Sequence, residues 1–273
     1  MLYICATPIG NMEDITLRVL RILQEVDIIA AEDTRQTLKL LNKYDIKTPL
    51  TSYHEHNKEE KGPILAEKLL NGVNIALVSD AGMPGISDPG EDLVKLCIEK
   101  NIDFTVLPGA TAAVNALVLS GFSTRSYVFE GFLPKNKKQR RAVLEKIEAE
   151  ERSLVFYEAP HRLVDTLKEI AAYTKERKIA AVRELTKKHE TILRATAEEL
   201  ADIFEKDAPK GEFVLVVEGK KREEKKEDPL TLYDSFISEG FGEKEAMKKA
   251  ASLTDLGKRE IYALILKRKE EKI

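Results

Sequence analysis

The sequence contains only two cysteines, Cys5 and Cys97, and they do not form a CxxC pair. Two are too few for a disulfide framework, so we expect a protein of the reducing cytoplasm. No apolar run approaches the roughly 18 residues of a membrane-spanning helix. The amino terminus, MLYICATPIG, also lacks the basic region and long apolar core of a signal peptide. We therefore expect a soluble, intracellular protein that does not bind membranes.

A strong excess of one charge sign is also missing. The chain has 44 basic and 47 acidic residues, which gives a net charge of -3. This composition carries no global signal for nucleic-acid binding, so any surface that binds RNA must be a local patch.

The pattern of apolar residues predicts two α/β domains followed by a small helical module. The 273 residues are 43% hydrophobic, which is sufficient for two packed domains. Residues 1–120 alternate strand and helix patterns, which is typical of a mostly parallel sheet with helices on both faces. Residues 121–219 are predicted to form a second α/β domain, and residues 220–228 an exposed charged linker. Residues 229–273 are predicted to be helical, either as a helix-turn-helix or as a hairpin that packs on the main body.

One loop of the first domain, DAGMPGISDPG at residues 80–90, predicts a ligand site. It joins the buried strand pattern IALVS to the helical pattern EDLVKLCIEK, and its eleven residues are long for an ordinary connection. Loops at the carboxyl ends of strands in open α/β sheets commonly bind ligands. The phosphate-loop spacings GxxxxGK(S/T) and GxGxxG are absent, and Asp80 and Asp88 would repel a phosphate. Aspartates suit a ligand with hydroxyl or ammonium donors, such as the ribose and amino acid parts of S-adenosylmethionine (SAM).

A set of short segments, taken together, resembles one enzyme family. In chain order they are ATPIGNMEDIT, AAEDTR, SYHEHN, VSDAGMPGISDPG, LPGATAAVNAL, FEGFLP, FYEAPHR, RELTKKHE and KGEFVLVVEG. The set resembles the ribosomal small-subunit methyltransferase I family of the tetrapyrrole methylase superfamily. These bacterial enzymes use SAM to methylate the 2'-hydroxyl of a cytidine in 16S rRNA. The resemblance runs from Leu2 to about Gly219 and implies two α/β domains around a SAM cleft, and a homodimer.

The resemblance also implies which residues contact SAM. The loop from Asp80 to Met83 would wrap the methionine end and the sugar, and the PGATAA turn would contribute from the same domain. Met83 stands where threonine is frequent in the family, which excludes a side-chain hydroxyl at this position. The implied cofactor residues are Pro8, Ile9, Gly10, Asp80, Ala81, Gly82, Met83, Thr111, Ala112, Glu158, Leu185 and Gly211.

The sequence leaves the catalytic base open. A methyltransferase must align nucleophile, methyl group and sulfur, and a ribose hydroxyl needs a base or a cation that lowers its pKa. All four histidines lie in the segments SYHEHN, YEAPHR and RELTKKHE. The catalytic candidates are His54, Glu55, His56, Glu158, His161, Arg183 and Glu184, and the same segments and AAEDTR add Glu32, Asp33, Lys187, His189 and Glu190.

Each of these segments also has a structural interpretation. The charged residues of AAEDTR could form an ion pair across a dimer interface. The residues after Pro160 could cap a helix, and the end of RELTKKHE could be a solvated turn. His54 and His56 would share one face of a strand, but no further ligands at a suitable spacing are evident, so we expect no metal.

One basic segment predicts contact with RNA. KNKKQRR follows FEGFLP, at the expected rim of the cleft, and its five basic residues in seven suit phosphate contacts. The alternative is a solvated helix start. The predicted RNA-binding residues are Arg35, Lys135, Lys137, Lys138, Arg140, Arg141 and Arg162, with Lys258, Arg259, Lys267 and Arg268 as a second surface. The acidic remainder favours the small ribosomal subunit over free 16S rRNA as the partner.

Two other functions are compatible with the sequence. A methyltransferase of the same superfamily that acts on a porphyrinoid precursor would not require the basic segment or the helical module. A non-catalytic RNA-binding factor of ribosome assembly would not require the glycine loop and the PGATAA turn.

Overall fold

The computed structural model describes residues 1–221, 228–254 and 256–270. Most of the predicted linker, and Asp255 in the predicted turn of the helical module, lie outside these residues. The chain divides into two compact units, Met1–Lys220 and Lys221–Ile273. Among the described residues, no helix has the length and apolar character needed to cross a membrane.

Five short apolar strands form a parallel sheet in the first compact unit. They are β1 (Leu2–Cys5), β2 (Ile28–Ala31), β3 (Leu50–Ser52), β4 (Ile75–Val78) and β5 (Phe104–Leu107), in the order β3-β2-β4-β1-β5. The helices of this part are α1 (Leu17–Glu25), α2 (Thr34–Lys43), α3 (Lys58–Leu70), α4 (Gly90–Glu99) and α5 (Ala112–Ser120), and a 3-10 turn covers Met12–Asp14. Because the strands are parallel, all their carboxyl ends meet at one edge of the sheet.

Alternate residues of these strands pack on opposite faces of the sheet. Ile29 and Ala31 of β2 join a buried cluster with Leu23 of α1 and Leu41 of α2. Ala30, between them, joins a second cluster with side chains of α3 and α4. Burial on both faces explains why the three central strands, β2, β4 and β1, are nearly continuous apolar runs. The predicted parallel sheet with helices on both faces is confirmed.

A second, mixed sheet completes the first compact unit. Its strands are β6 (Tyr127–Phe132), β7 (Ser153–Glu158), β8 (Lys178–Arg183), β9 (Thr191–Thr196) and β10 (Phe213–Val217), in the order β6-β7-β10-β8-β9. The pair β6 and β7 is parallel and the other pairs are antiparallel. The helices α6 (Lys137–Ile147), α7 (Pro160–Thr174) and α8 (Ala197–Lys206) contribute to the core on one face of this sheet.

Helix α5 lies against the second sheet, although its residues fall in the predicted first domain. Ala113, Ala116 and Leu117 of α5 share a buried cluster with Val155 of β7 and Val214 of β10. The cluster also includes Ile9 and thus connects the two sheets. The predicted α/β class is confirmed, whereas the domain division at residue 120 stays a prediction.

The described residues of the second compact unit form three helices. They are α9 (Pro229–Ser238), α10 (Glu243–Leu253) and α11 (Lys258–Glu270). Their buried core contains Leu232, Tyr233, Ala246, Ala250, Ile261 and Ile265. Arg268 forms an ion pair with Asp234 at 2.6 Å, so this predicted RNA contact is engaged within the helical unit.

Candidate active site

The loops after β1 and β4 are joined side by side at the carboxyl edge of the parallel sheet. Thr7 and Gly82 exchange two backbone hydrogen bonds, of 2.9 and 3.1 Å. Gly82 has φ of +81°, a conformation that residues with a side chain rarely adopt. The glycine therefore permits the turn that brings the DAGMPG loop against the first strand end.

The loops after β2 and β4 are also locked together. The Asp80 carboxylate accepts a hydrogen bond from the Asp33 backbone N–H at 2.9 Å, and the Glu32 carboxylate accepts one from the Asp80 N–H at 3.3 Å. These reciprocal bonds hold Glu32 and Asp80 at neighbouring strand ends. The strand order β2-β4-β1 makes this possible, because β4 lies between the two earlier strands.

Asp33 and Arg35 pair within the chain. Asp33 is the N-cap of α2 and accepts from the Arg35 backbone N–H at 2.8 Å, while its carboxylate also binds the Arg35 guanidinium at 3.0 and 2.8 Å. The hydrogen bonds from Arg35 lower the pKa of Asp33 to about 2. Asp33 and Arg35 therefore form a local pair that stabilises the start of a helix, and an ion pair across a dimer interface stays a prediction. The Arg35 side chain is 88% exposed.

The second aspartate of the glycine-rich loop has a structural task. One oxygen of Asp88 accepts hydrogen bonds from the backbone N–H groups of Gly85 and Gly90, both at 2.8 Å. Asp88 lines the adjacent cavity, but its hydrogen bonds shape the loop itself. The two aspartates of the loop thus differ: Asp80 binds the backbone of the loop after β2, whereas Asp88 binds the backbone of its own loop.

A cavity of about 380 Å³ lies between the two sheets. Its acidic and polar wall includes Glu32, Asp80 and Thr111, and Met83, Ile86, Phe132 and Tyr157 give it an apolar wall. Thr111 is the N-cap of α5, yet its side chain makes no capping hydrogen bond. The predicted cofactor residues that line this cavity are Ile9, Asp80, Ala81, Gly82, Met83, Thr111, Ala112 and Glu158.

A second cavity of about 260 Å³ adjoins the first. The two share Ile9, Asp80 and Glu212 in their linings, and the smaller one adds Lys39 and Lys187. The predicted cofactor residues Pro8 and Gly10 line this smaller cavity.

Two predicted cofactor residues line neither cavity. Leu185 is buried in the apolar cluster that contains Ile9. Gly211 has φ of +84° and lies so close to the Glu184 side chain that an added Cβ would overlap the carboxylate oxygen. Both residues lie near the part of the wall that the second sheet forms, where Glu212, Phe213 and Val214 line the cavity.

Glu32 combines access to the large cavity with an unusual electrostatic environment. Burial raises the pKa of its carboxyl group, and the nearby charges of Asp80 and Asp88 act in the same direction. The Asp80 N–H and His54 oppose the shift without cancelling it. A carboxylate with a raised pKa binds a proton more strongly, which suits a general base.

The SYHEHN segment forms a turn after β3, because that strand ends at Ser52. The prediction that His54 and His56 share a strand face is therefore wrong. The Nδ1 atom of His54 is buried and has no hydrogen-bond partner in the described part of the chain. Glu55 forms an ion pair with Lys58 at 2.9 Å, and His56 is exposed.

Glu158 is buried, and each of its carboxylate oxygens accepts a hydrogen bond. One oxygen accepts from the Ala159 N–H at 2.9 Å, and the other accepts from the Thr166 hydroxyl at 2.6 Å. Arg162 lies 3.6 Å from the first oxygen. These bonds fit a positioning role for Glu158 in the wall of the cleft, and its role as a base stays a prediction.

Three further catalytic candidates, His161, Arg183 and Glu184, lie outside both cavities. His161 is exposed near the start of α7, and Ala159 is the N-cap of that helix, so His161 does not cap it. Arg183 donates a hydrogen bond to the Lys210 carbonyl at 2.7 Å. Glu184 accepts one from the Lys187 ammonium at 3.0 Å. Burial would raise the pKa of Glu184, but this ammonium and the Glu212 N–H lower it overall.

The basic segment is divided between the surface and the interior. Lys135, Lys137 and Lys138 are exposed at the start of α6. Arg140 is only 9% exposed; it pairs with Glu169 and donates to the Thr166 hydroxyl at 2.8 Å. The prediction that Arg140 binds RNA is wrong, because its guanidinium is bound inside the protein.

Two further predicted RNA contacts also have partners within the chain. Arg141 is paired with Glu145 at 2.8 Å on the exposed face of α6. Arg162 donates to the Leu133 carbonyl at 2.8 Å. Within the described ranges, no group of three or more histidine, cysteine or acidic side chains could hold a metal ion.

Comparison with known proteins places this cleft in a defined class. Residues 1–201 match the family model of the tetrapyrrole (corrin/porphyrin) methylases. A ribosomal RNA small subunit methyltransferase I of Halalkalibacterium halodurans is 50% identical over 268 residues, covering 96% of this chain and 93% of the relative. A relative of the same name in Bacillus subtilis is 48% identical over 270 residues, covering 96% and 92%. The chain belongs to the tetrapyrrole methylases and, among them, to the ribosomal RNA small subunit methyltransferase I family.

Solved structures of other methylases share the fold. Diphthine synthase has a TM-score of 0.66 at 15% identity, covering 81% of this chain and 90% of that chain. Uroporphyrin-III C-methyl transferase from Thermus thermophilus, complexed with S-adenyl homocysteine, has a TM-score of 0.57 at 18% identity, covering 80% and 96%. At this level of identity the likeness concerns the architecture of two sheets around a cleft.

Proposed function

We propose that the protein is a SAM-dependent methyltransferase that modifies the ribose 2'-oxygen of a cytidine in 16S rRNA, on the small ribosomal subunit. The observation that carries this proposal is the large cavity between the two sheets, lined by the Asp80–Met83 loop and the start of α5. Membership of the ribosomal RNA small subunit methyltransferase I family supplies the substrate class.

The residues of the large cavity suit SAM. Its volume of about 380 Å³ is in the range of small-molecule sites. Glu32 and Asp80 give it a negative potential that favours a ligand with a sulfonium and an ammonium group. Thr111 and the first N–H groups of α5 offer donors for a carboxylate. SAM supplies a methyl group bound to a positively charged sulfur.

The smaller cavity is the proposed acceptor side. It shares the Asp80 wall with the large cavity, so a ribose held there lies next to the cofactor site. Lys39 gives this side a cation for a backbone phosphate. Glu32 lines the large cavity and accepts a hydrogen bond from the N–H of Asp80, a residue that both cavities share. It is the proposed base that accepts the proton of a ribose hydroxyl at the junction of the two cavities, because its raised pKa favours proton uptake.

The exposed lysines at the start of α6 are the proposed phosphate contacts. Lys137 and Lys138 lie in the first turn of a helix, where the helix dipole disfavours cations. Placing them there costs stability and concentrates positive potential on one surface. That concentration suits the phosphates of folded RNA, which attract the protein without reading its sequence.

The first test is transfer of labelled methyl from SAM to small ribosomal subunits isolated from a strain that lacks the gene. Naked 16S rRNA and a porphyrinoid precursor serve as parallel acceptors. We expect label on a ribose 2'-oxygen in the subunits. Label on the porphyrinoid alone, or SAM binding without transfer to either RNA, would contradict the proposed substrate.

The proposed base is tested by Glu32→Gln. The amide oxygen of glutamine can still accept a hydrogen bond from the Asp80 N–H, but the amide does not take up the proton of the ribose hydroxyl. We therefore expect kcat to fall by about 10² to 10⁴. SAM affinity, measured by calorimetry, should change much less. Glu55→Gln is the matched control, because Glu55 follows a neighbouring strand yet pairs with Lys58 outside both cavities. Wild-type activity in both variants would exclude Glu32 as the base.

Homodimerisation and a cytoplasmic location are parts of the same proposal. Phe104 and Val106 are exposed on the edge strand β5, and Val114 and Val118 lie one turn apart on the surface of α5. Such side chains suit contact with a second copy of the chain. Light scattering of the wild type and of Val118→Glu tests this, since only the wild type should scatter as a dimer.

A further inference from the structure

The helical unit at the carboxyl end carries a groove that none of the proposed catalytic chemistry uses. The groove has a volume of about 350 Å³ and is lined by Lys244, Met247, Lys258, Arg259 and Tyr262. Lys244 and Met247 come from α10, and the other three from the start of α11. Among the residues that the structure describes, no acidic side chain lines this groove.

The lining side chains are held where they are by the helix geometry. Lys258 and Arg259 precede Tyr262 by four and three positions on α11, so the three side chains share one face of the helix. The same helix also contributes Ile261 and Ile265 to the core of the unit. The groove is therefore built on a packed scaffold.

The cations of the groove keep their charge available for a ligand. In the part of the chain that the structure describes, no ion pair involves Lys244, Lys258 or Arg259. Glu260, which lies beside them in sequence, folds back and accepts the Gly257 N–H at 2.7 Å. Lys258 and Arg259 also occupy the first turn of α11, where the helix dipole disfavours positive charge. The position is costly for folding and favourable for binding an anion.

Tyr262 supplies the second component of the site. Its side chain is 53% exposed and lines the groove together with Met247. An exposed aromatic ring between cations is the arrangement that binds single-stranded nucleic acid, because the ring stacks on a base while the cations contact phosphates. A protein helix or a lipid surface would need a wider apolar face than one ring and one methionine provide.

We propose that this groove binds an unpaired nucleotide of RNA, with its base stacked on Tyr262 and its flanking phosphates bound by Lys244, Lys258 and Arg259. The site would give the enzyme a second anchor on its substrate, separate from the catalytic cleft. The inference rests on the proposed function only in taking ribosomal RNA as the natural ligand. RNA binding by the groove itself is measured independently of methylation.

The site is tested in the full chain with a fluorescein-labelled, single-stranded RNA 12-mer of mixed sequence, by anisotropy. Tyr262→Ala should weaken binding about fivefold or more, whereas Tyr262→Phe, which keeps the ring, should restore it. The double variant Lys258→Ala, Arg259→Ala should lower the salt slope of log affinity by about 0.7 for each phosphate that it no longer neutralises. Calorimetric SAM binding verifies that each variant keeps its folded catalytic unit.

A matched control separates this groove from general positive charge. Lys267 lies on the same helix about two and a half turns after Lys258, and thus on the opposite face. Lys267→Ala should bind the 12-mer as the wild type does. Wild-type affinity of Tyr262→Ala, or an equal loss in Lys267→Ala and the double variant, would overturn the proposal.

Methylation assays distinguish the failure of this inference from the failure of the proposed function. If the wild type binds the 12-mer through Tyr262 but methylates no RNA, the groove is supported and the proposed reaction is wrong. If Tyr262→Ala loses binding to small subunits but keeps its affinity for the 12-mer, the partner of the groove is not RNA and the inference is overturned.

Discussion

Replacement of Thr166 by valine isolates the buried polar network behind the cleft. Thr166 is fully buried, and its hydroxyl donates to Glu158 at 2.6 Å and accepts from Arg140 at 2.8 Å. Valine has nearly the same shape but can make neither bond. The Glu158 oxygen then remains buried without this donor, since only 1% of that side chain is exposed.

The expected cost follows from the removal of both bonds. A hydrogen bond to a charged group contributes about 1.5–3 kcal/mol, and an unsatisfied buried group adds a penalty. Because Glu158 keeps the Ala159 N–H and Arg140 keeps Glu169, we expect the lower end of this range for each bond. Thr166→Val should therefore lower the free energy of unfolding by about 3 kcal/mol.

Thr174→Val provides the matched control on the same helix. Thr174 is also buried, but its hydroxyl only donates to the Ile170 carbonyl one turn earlier, at 3.1 Å. Such a bond within a helix contributes little, so we expect a loss of less than about 1 kcal/mol. Urea unfolding followed by far-ultraviolet circular dichroism measures both variants, with unchanged m-values. A loss in Thr166→Val no greater than that in Thr174→Val would refute the network argument.

Two further predictions concern the catalytic unit. Gly10→Ala should destabilise it by about 1–3 kcal/mol and weaken SAM binding, because an added Cβ would lie 2.7 Å from the Leu185 carbonyl oxygen. Gly242→Ala, at the N-cap of α10 where a Cβ meets open space, should cost less than about 1 kcal/mol in the same urea titration. Burial raises the pKa of Glu32, so its ionisation costs stability as the pH rises. Glu32→Gln should therefore be more stable than the wild type at pH 7, with a gain that shrinks towards pH 4; a loss of stability at pH 7 would contradict the burial argument.

The glycine-rich loop shows what sequence patterns can predict. Its position between an apolar strand and a helix predicts a ligand site at the carboxyl end of β4, and the loop lines the large cavity. The neighbours of that loop were not predictable from periodicity, because the order of strands in a sheet depends on long-range packing. The order β2-β4-β1 brings Glu32 and Thr7 to the loop from distant segments.

The error at Arg140 has a signal in the sequence. Arg140, Leu144 and Ile147 are spaced by four and three residues, which places them on one face of α6, and all three are buried. The prediction that Arg140 binds RNA rested on the number of basic residues in KNKKQRR and took no account of this spacing. Lys138 lies on the opposite side of the helix and is exposed. Lys137 shares the spacing of the buried face, but it is the first residue of α6 and is exposed. Helical periodicity therefore separates Lys138 from the buried Arg140, whereas the exposure of Lys137 follows from its place at the helix end.

The carboxylates of the cleft show where sequence reasoning ends. Asp88 and Glu158 accept hydrogen bonds from backbone N–H groups and, at Glu158, from a buried hydroxyl, so these carboxylates hold the local structure. Glu32 keeps access to the cavity, and burial raises its pKa. These residues have the same functional group and lie in equally distinctive segments. Only the donors around each oxygen distinguish a base from a structural acid, and those donors come from strands and helices that the local sequence does not specify.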